Sequence, residues 1–143
     1  MGDLAHTVSE PYVFCSGVIV FMLKSIKHEK GGVIFRLCGE ITSEEIIDAR
    51  TEARNREDLV TSKYHLWIFE SVKDFKISTA QIKQMAIEDI ELSKEKSKMK
   101  IAIASDSSLA FGLSRMYEMF ADECEWEMMV FNDIEEAKSW VNS

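Results

Sequence analysis

The chain has 143 residues, 46% hydrophobic and 29% charged, with a formal net charge of −8. That length suits one domain, and a chain of this size hides roughly 68–70% of its unfolded surface, enough for a core without staples. The acidic balance repels phosphate, which excludes nucleic acid and anionic membranes as general partners.

Residues 13–23 are mostly apolar. A secretory signal wants a positive segment before such a run, but the first basic side chain is Lys24, and Asp3 and Glu10 precede it. The run is also shorter than the ~20 residues of a spanning helix. Neither a signal nor an integral membrane segment is expected, and Pro11 marks the break before a strand. Residues 1–21 read as an N-terminal extension or an extra strand, and residues 22–143 as a single domain, since no linker, repeat or low-complexity tract divides them.

A β-branched and aromatic strand is expected over 18–27 and a second over 33–38, ended by Gly39. Gly31 and Gly32 between them supply positive φ, so the pair reads as a hairpin. Thr42 to Glu45 has the S/T-x-x-E form of a capping box and starts a helix running to about residue 55. Ile46, Ala49 and Ala53 form its thin apolar face, with Asp48, Arg50, Glu52, Arg54 and Arg56 solvated. The third strand, 64–69, is apolar almost throughout and therefore central and covered on both faces. A loop over 70–75 leads to Ser78 and Thr79, which cap a helix over about 80–96. A fourth strand spans 100–104, a helix 108–121, a fifth strand 126–131, and Asp133 caps a last helix. The order is ββαβαβαβα: an α/β fold with a mixed, mostly parallel sheet of four to five strands and about four helices.

Cys15, Cys38 and Cys124 are odd in number and far apart, which fits reduced thiols in a cytoplasmic protein. His6, His28 and His65 are scattered, so no metal and no cofactor is expected. Lys94, Lys96, Lys98 and Lys100, interrupted by Glu95, read as a solvated helix end rather than a basic patch.

Candidate functional residues lie on two helices. In the helix after the fourth strand, Leu109, Leu113, Met116, Tyr117 and Phe120 form a stripe expected to face the sheet. Phe111, Arg115 and Glu118 then face outward as a recognition surface, Arg115 and Glu118 being spaced to pair. Asp106 lies at the strand-to-helix edge where α/β proteins bind ligands, although Asp and Ser there are also ordinary caps. Ser114 follows Gly112 but lies inside the helix, without the second glycine or the strand-to-helix turn of a hydrolase elbow. In the preceding helix, Ile82, Met85, Ala86 and Ile90 make the apolar face, and Asp89 falls inside it with Ser93 one turn later. A carboxylate so placed is a structural tie or the polar anchor of a cavity, and it is the best candidate for a perturbed carboxylate.

Three runs carry a family likeness. They are 33–42, a strand running into Gly39-Glu40-Ile41-Thr42; 101–106 followed by 111–118; and 130–140, with Phe131, Asp133, Glu136, Ala137 and Trp140 in an F-x-D-x-x-E-A-x-x-W ending. In order and spacing they resemble the SpoIIAA-like family of STAS/SEC14-type domains from about residue 22 to 141. The resemblance implies a STAS-like mixed sheet with alternating helices and, through the SEC14-type label, an apolar ligand cavity. Related anti-sigma-factor antagonists bind a kinase and are phosphorylated in a D-S-x-G-like loop after the third strand. The comparable stretch here, 74–79, has no Asp-Ser pair and no glycine, which leaves Ser78 and Thr79 as the nearest hydroxyls.

The expected function is that of a non-enzymatic binding or regulatory module. It acts by protein contact, a homodimer being one form, or by holding a small apolar, lipid-like ligand. The alternative is an anti-sigma-factor-antagonist-type regulator switched by phosphorylation. The residues carrying either reading are Asp89, Asp106, Phe111, Arg115 and Glu118, with Ser78 and Thr79 as the phosphosite.

Overall fold

A computed structural model describes residues 23–29, 31–55, 62–96 and 98–143. Five strands, β1 (Leu23–Glu29), β2 (Gly32–Thr42), β3 (Tyr64–Lys76), β4 (Lys100–Ser105) and β5 (Glu127–Phe131), form one sheet in the order β1-β2-β3-β4-β5. β1 runs antiparallel to β2, and the remaining pairs are parallel. Among the described residues four helices follow β2 to β5 in turn: α1 (Ser43–Asn55), α2 (Thr79–Ser93), α3 (Ser108–Phe120) and α4 (Ile134–Val141). The element order and mixed sheet are those expected from the sequence. The extension over 1–21 and the start of the first strand lie outside the described residues.

Strand order equals chain order, so every crossover steps the same way across the sheet. Right-handed crossovers then put all three connecting helices on one face. Phe35, Leu37, Trp67, Phe69, Ile101 and Ile103 pack there with Ile46, Ala49, Met85 and Ala110 from α1 to α3. On the opposite face, among the described residues, α4 packs on the sheet: Leu66, Ile68, Ala102 and Ala104 meet Ala137 and Val141. Residues 64–69 of β3 are buried on both faces, as the apolar run predicts.

The capping signals hold. Thr42 Oγ1 accepts from Glu45 N at 3.3 Å while Thr42 N donates to Glu45 Oε1 at 3.2 Å. Ser78 forms a capping box with Gln81, Ser107 caps α3, and Asp133 caps α4. The β1–β2 hairpin turns through Gly31 at φ 93°. A Cβ on Gly32 would sit 2.4 Å from the Tyr64 ring, so the glycine is needed there for close approach.

Several expectations are corrected. Gly39 does not end the second strand. It adopts φ 80° within β2, and the register shifts on both sides of it. Residues 70–75 are strand, not loop, because β2 continues to Thr42 and gives β3 a partner as far as Lys76. Cys38 is not a reduced thiol: it is disulfide-bonded, whereas Cys124 is free. The buried line of α3 is Ala110 and Ser114, while Leu109 is 48% exposed. Small side chains at the buried line let a helix approach a sheet closely, and of the stripe Leu113 and Tyr117 line the space beside it.

Candidate functional site

Between the sheet and α1, α2 and α3 lies a half-open cavity of about 100 Å3. It forms because α1 brings little bulk to the sheet: Ile46, Ala49 and Ala53 are its buried apolar residues. The strands beneath supply an aromatic row. Phe35 stacks on Trp67 with ring centroids 3.9 Å apart and planes 7° apart. His65 meets Phe35 edge-on at 5.4 Å, Phe69 lies 6.3 Å from Trp67, and Phe75 lies 5.2 Å from Phe69. Met85, Ile82, Leu92, Leu113 and Trp126 complete the apolar lining.

One wall is charged. Arg50 grips Asp89 with both guanidinium nitrogens, Nη1 to Oδ2 and Nη2 to Oδ1, each at 3.0 Å. Its Nη2 also donates to Glu88 Oε1 at 3.2 Å. The Tyr117 hydroxyl donates to Asp89 Oδ2, and the Cys124 thiol to the Asp89 carbonyl at 3.6 Å. Helices α1, α2 and α3 are thus joined at a single carboxylate whose side chain is 7% exposed. Burial by itself would lower the Arg50 pKa, but the Asp89 charge and hydrogen bonds outweigh it, and the group is held above its ordinary value. Burial, then Asp89, holds the Tyr117 phenol well above the usual tyrosine range.

His65 is a further polar lining group. It is 9% exposed, and its Nε2 is buried without a hydrogen-bond partner. Burial, then the positive charges of Arg50 and Lys96 and the nearby His28, push it down to about 3, so the ring is neutral across the physiological range.

Outside the wall, Ile47, Thr51, Gln81, Gln84 and Glu88 border a surface groove of about 120 Å3 between α1 and α2. Arg50, Arg54 and Met85 line both spaces, so the Arg50–Asp89 pair is the partition between groove and cavity.

Of the seven residues proposed from the sequence as binding or phosphorylation sites, Asp89 alone lines the cavity. It is both of the things its position allowed, a tie between helices and a polar cavity wall. Arg50 is not solvated, its side chain being 13% exposed. It lies four residues after Ile46 and so shares the thin apolar face of α1, a signal the helical period contains. Tyr117 was read as a packing residue, and its ring is at the cavity, but its hydroxyl serves Asp89. His65 stood out only as a polar residue in an apolar strand. Asp106 is exposed at the end of β4, outside the cavity. Arg115 Nε pairs with Glu118 Oε1 at 3.2 Å on the outer side of α3, with Phe111 half-buried nearby in sequence. Ser78 and Thr79 are exposed, with the Ser78 Oγ accepting from Gln81 N at 3.1 Å. Among the described residues no helix is long and apolar enough to cross a membrane.

No family model matches the chain, and no curated protein matches it. Among solved structures it is similar to the crystal structure of an uncharacterised protein from the DUF3478 family with a SpoIIAA-like fold, from Shewanella loihica PV-4. That similarity covers 88% of this chain and 98% of the other, at 15% sequence identity and a TM-score of 0.47.

Proposed function

We propose that this chain is a non-catalytic binding module that takes a small apolar ligand into the cavity beneath α1, α2 and α3. The observation that carries the reading is the half-open, aromatic-lined space of about 100 Å3 within an otherwise packed layer. Protein interiors are close-packed, and a convergent apolar cavity with a few placed polar groups is the ordinary form of a ligand site. The charged groups at the wall support binding over chemistry: Arg50, Asp89 and Tyr117 are engaged with one another rather than presented to a reacting atom. The groove outside Arg50 supplies a route by which a ligand reaches the partition.

The test is a screen of uncharged apolar fragments against the full chain by ligand-observed NMR, repeated on Ala53→Met. Ala53 is 2% exposed and lines the cavity, so the longer side chain occupies the space. Fragments are expected to bind the unsubstituted protein and to lose at least tenfold in affinity to the variant. Fragments that bind both proteins equally, or neither, would overturn the reading.

A further inference from the structure

We propose that the ligand of this cavity is a short-chain alkyl monocarboxylate, its tail against the aromatic row and its carboxylate at the mouth on Arg54. The proposal rests on the reading of the cavity as a ligand site and adds the chemistry of what it takes.

The charged residues lining the cavity are Arg50, Arg54 and Asp89. Arg50 is engaged: it donates to both Asp89 oxygens at 3.0 Å and to Glu88 at 3.2 Å. Arg54 lies one turn further along α1, is exposed, and pairs with no carboxylate among the described residues. It lines the cavity and the groove alike, which places it on the open side. In a chain of net charge −8, this apolar space therefore carries an excess of one positive charge in its lining.

One unmatched cation calls for one anionic charge. A carboxylate meets a guanidinium through two parallel hydrogen bonds and brings a single charge. A phosphate monoester would bring a second, and Asp89 and Glu88 in the two linings would repel it. Because Arg54 is exposed, the head group keeps part of its water there and escapes the cost of a charge taken into the apolar interior.

Size sets the tail. An apolar protein cavity of about 150 Å3 accommodates benzene, a ring of six carbons. In proportion, the cavity of about 100 Å3 takes roughly four carbons, the alkyl chain of pentanoate, and no ring. Phe35, Trp67, Phe69 and Met85 line the space, and each methylene taken from water there should strengthen binding about fourfold.

The test is an NMR titration of the full chain at pH 7 with pentanoate and with pentanol, which share the tail size and differ in charge. Pentanoate is expected to bind about fivefold tighter, against the general repulsion of an acidic protein, and Arg54→Gln to bring the ratio to about one. In the unsubstituted protein the Arg54 15Nε resonance should move with pentanoate and stay with pentanol. Ala53→Met is expected to weaken both ligands at least tenfold. From propanoate to pentanoate affinity should rise about fourfold per methylene and gain nothing further at octanoate. Pentanol binding as tightly as pentanoate, or a ratio unchanged in Arg54→Gln, overturns the carboxylate assignment while leaving the cavity a binding site. A continued rise to octanoate overturns the short tail on the same terms, and pentanoate that binds Ala53→Met undiminished overturns its placement in the cavity. If neither ligand binds while fragments in the wider screen do, the assigned class is wrong. If that screen fails as well, the binding reading falls with it.

Discussion

Asp89 accepts from residues on two other helices, and its worth is therefore not that of a pair. Removing one partner of a buried ion pair leaves the other charge without compensation, at a cost of ~3–5 kcal/mol, whereas replacing both by apolar groups is often close to neutral. Asp89→Ala is expected to destabilise the protein by about 3 kcal/mol, Glu88 at 3.2 Å offsetting part of the loss for Arg50. The double variant Arg50→Met with Asp89→Leu should recover most of it. Urea unfolding of the two single variants and the double one gives the coupling directly. His65 carries the opposite kind of dependence. Its folded value is pushed from 6.5 down to about 3 by burial, Arg50, Lys96 and His28. The unfolded state therefore binds the proton first. The contribution of this residue is intact above pH 6.5 and is lost as pH falls toward 3, reaching about 3 kcal/mol at pH 4. Urea midpoints of the unsubstituted protein and His65→Phe at pH 4 and pH 7 measure it, and the difference between the two pH values should be smaller in the variant. Asp89 was legible in the sequence because a lone carboxylate interrupts an apolar face. Arg50 was harder to see, since a long cation on a helix face can equally reach solvent, and only the position of α2 shows which way it turns.

At the scale of elements, helix starts were the most readable feature, because a cap is a local bargain between one side chain and one or two amides. Thr42, Ser107 and Asp133 needed no tertiary information. The rotation of α3 did. Its hydrophobic stripe is real, yet the buried residues of the helix are Ala110 and Ser114, with Ser114 Oγ donating to the Ala110 carbonyl at 2.8 Å. Hydrophobicity ranks side chains by transfer free energy, whereas close approach of a helix to a sheet selects for small volume. The extent of β3 beyond Phe69 was equally hidden, since residues 70–76 are strand only because β2 passes Gly39 and continues beside them. The hairpin offers a sharper test of sequence against packing. Gly32 meets the Tyr64 ring, whose hydroxyl donates to Glu29 Oε2 at 2.5 Å and is pushed up to about 12 by burial and that contact. Gly32→Ala is expected to cost ~1–3 kcal/mol through overpacking, read as a lower urea midpoint, although alanine is otherwise the better strand residue.

For the whole molecule, topology decides where a cavity can be. Among the described residues, sequential strand order with right-handed crossovers assigns three helices to one face and leaves one for the other, and that much follows from the ββαβαβαβα order once the strands are taken in sequence. The single helix α4 lies close on alanines, and Lys100 from β4 fixes its end by donating to the Trp140 carbonyl at 3.0 Å with its ammonium over the Trp140 ring. The three-helix face is wider than three helices of this composition fill, and the gap opens under the one with the least apolar bulk.

The bulged stretch of β2 and β3 bears on how such a chain can change length. Between the Leu37–Phe69 and Ile41–Phe75 pairings, β2 advances by four residues and β3 by six. One extra residue in a strand exchanges its two faces, and a second exchanges them back. Phe75 therefore returns to the same layer as Phe69. Losing either surplus residue alone would carry Phe75 through the sheet to its opposite surface, while losing both would leave it in place. Insertions and deletions at this lip of the cavity are thus accommodated in twos, a parity rule written into the strand rather than into any single side chain.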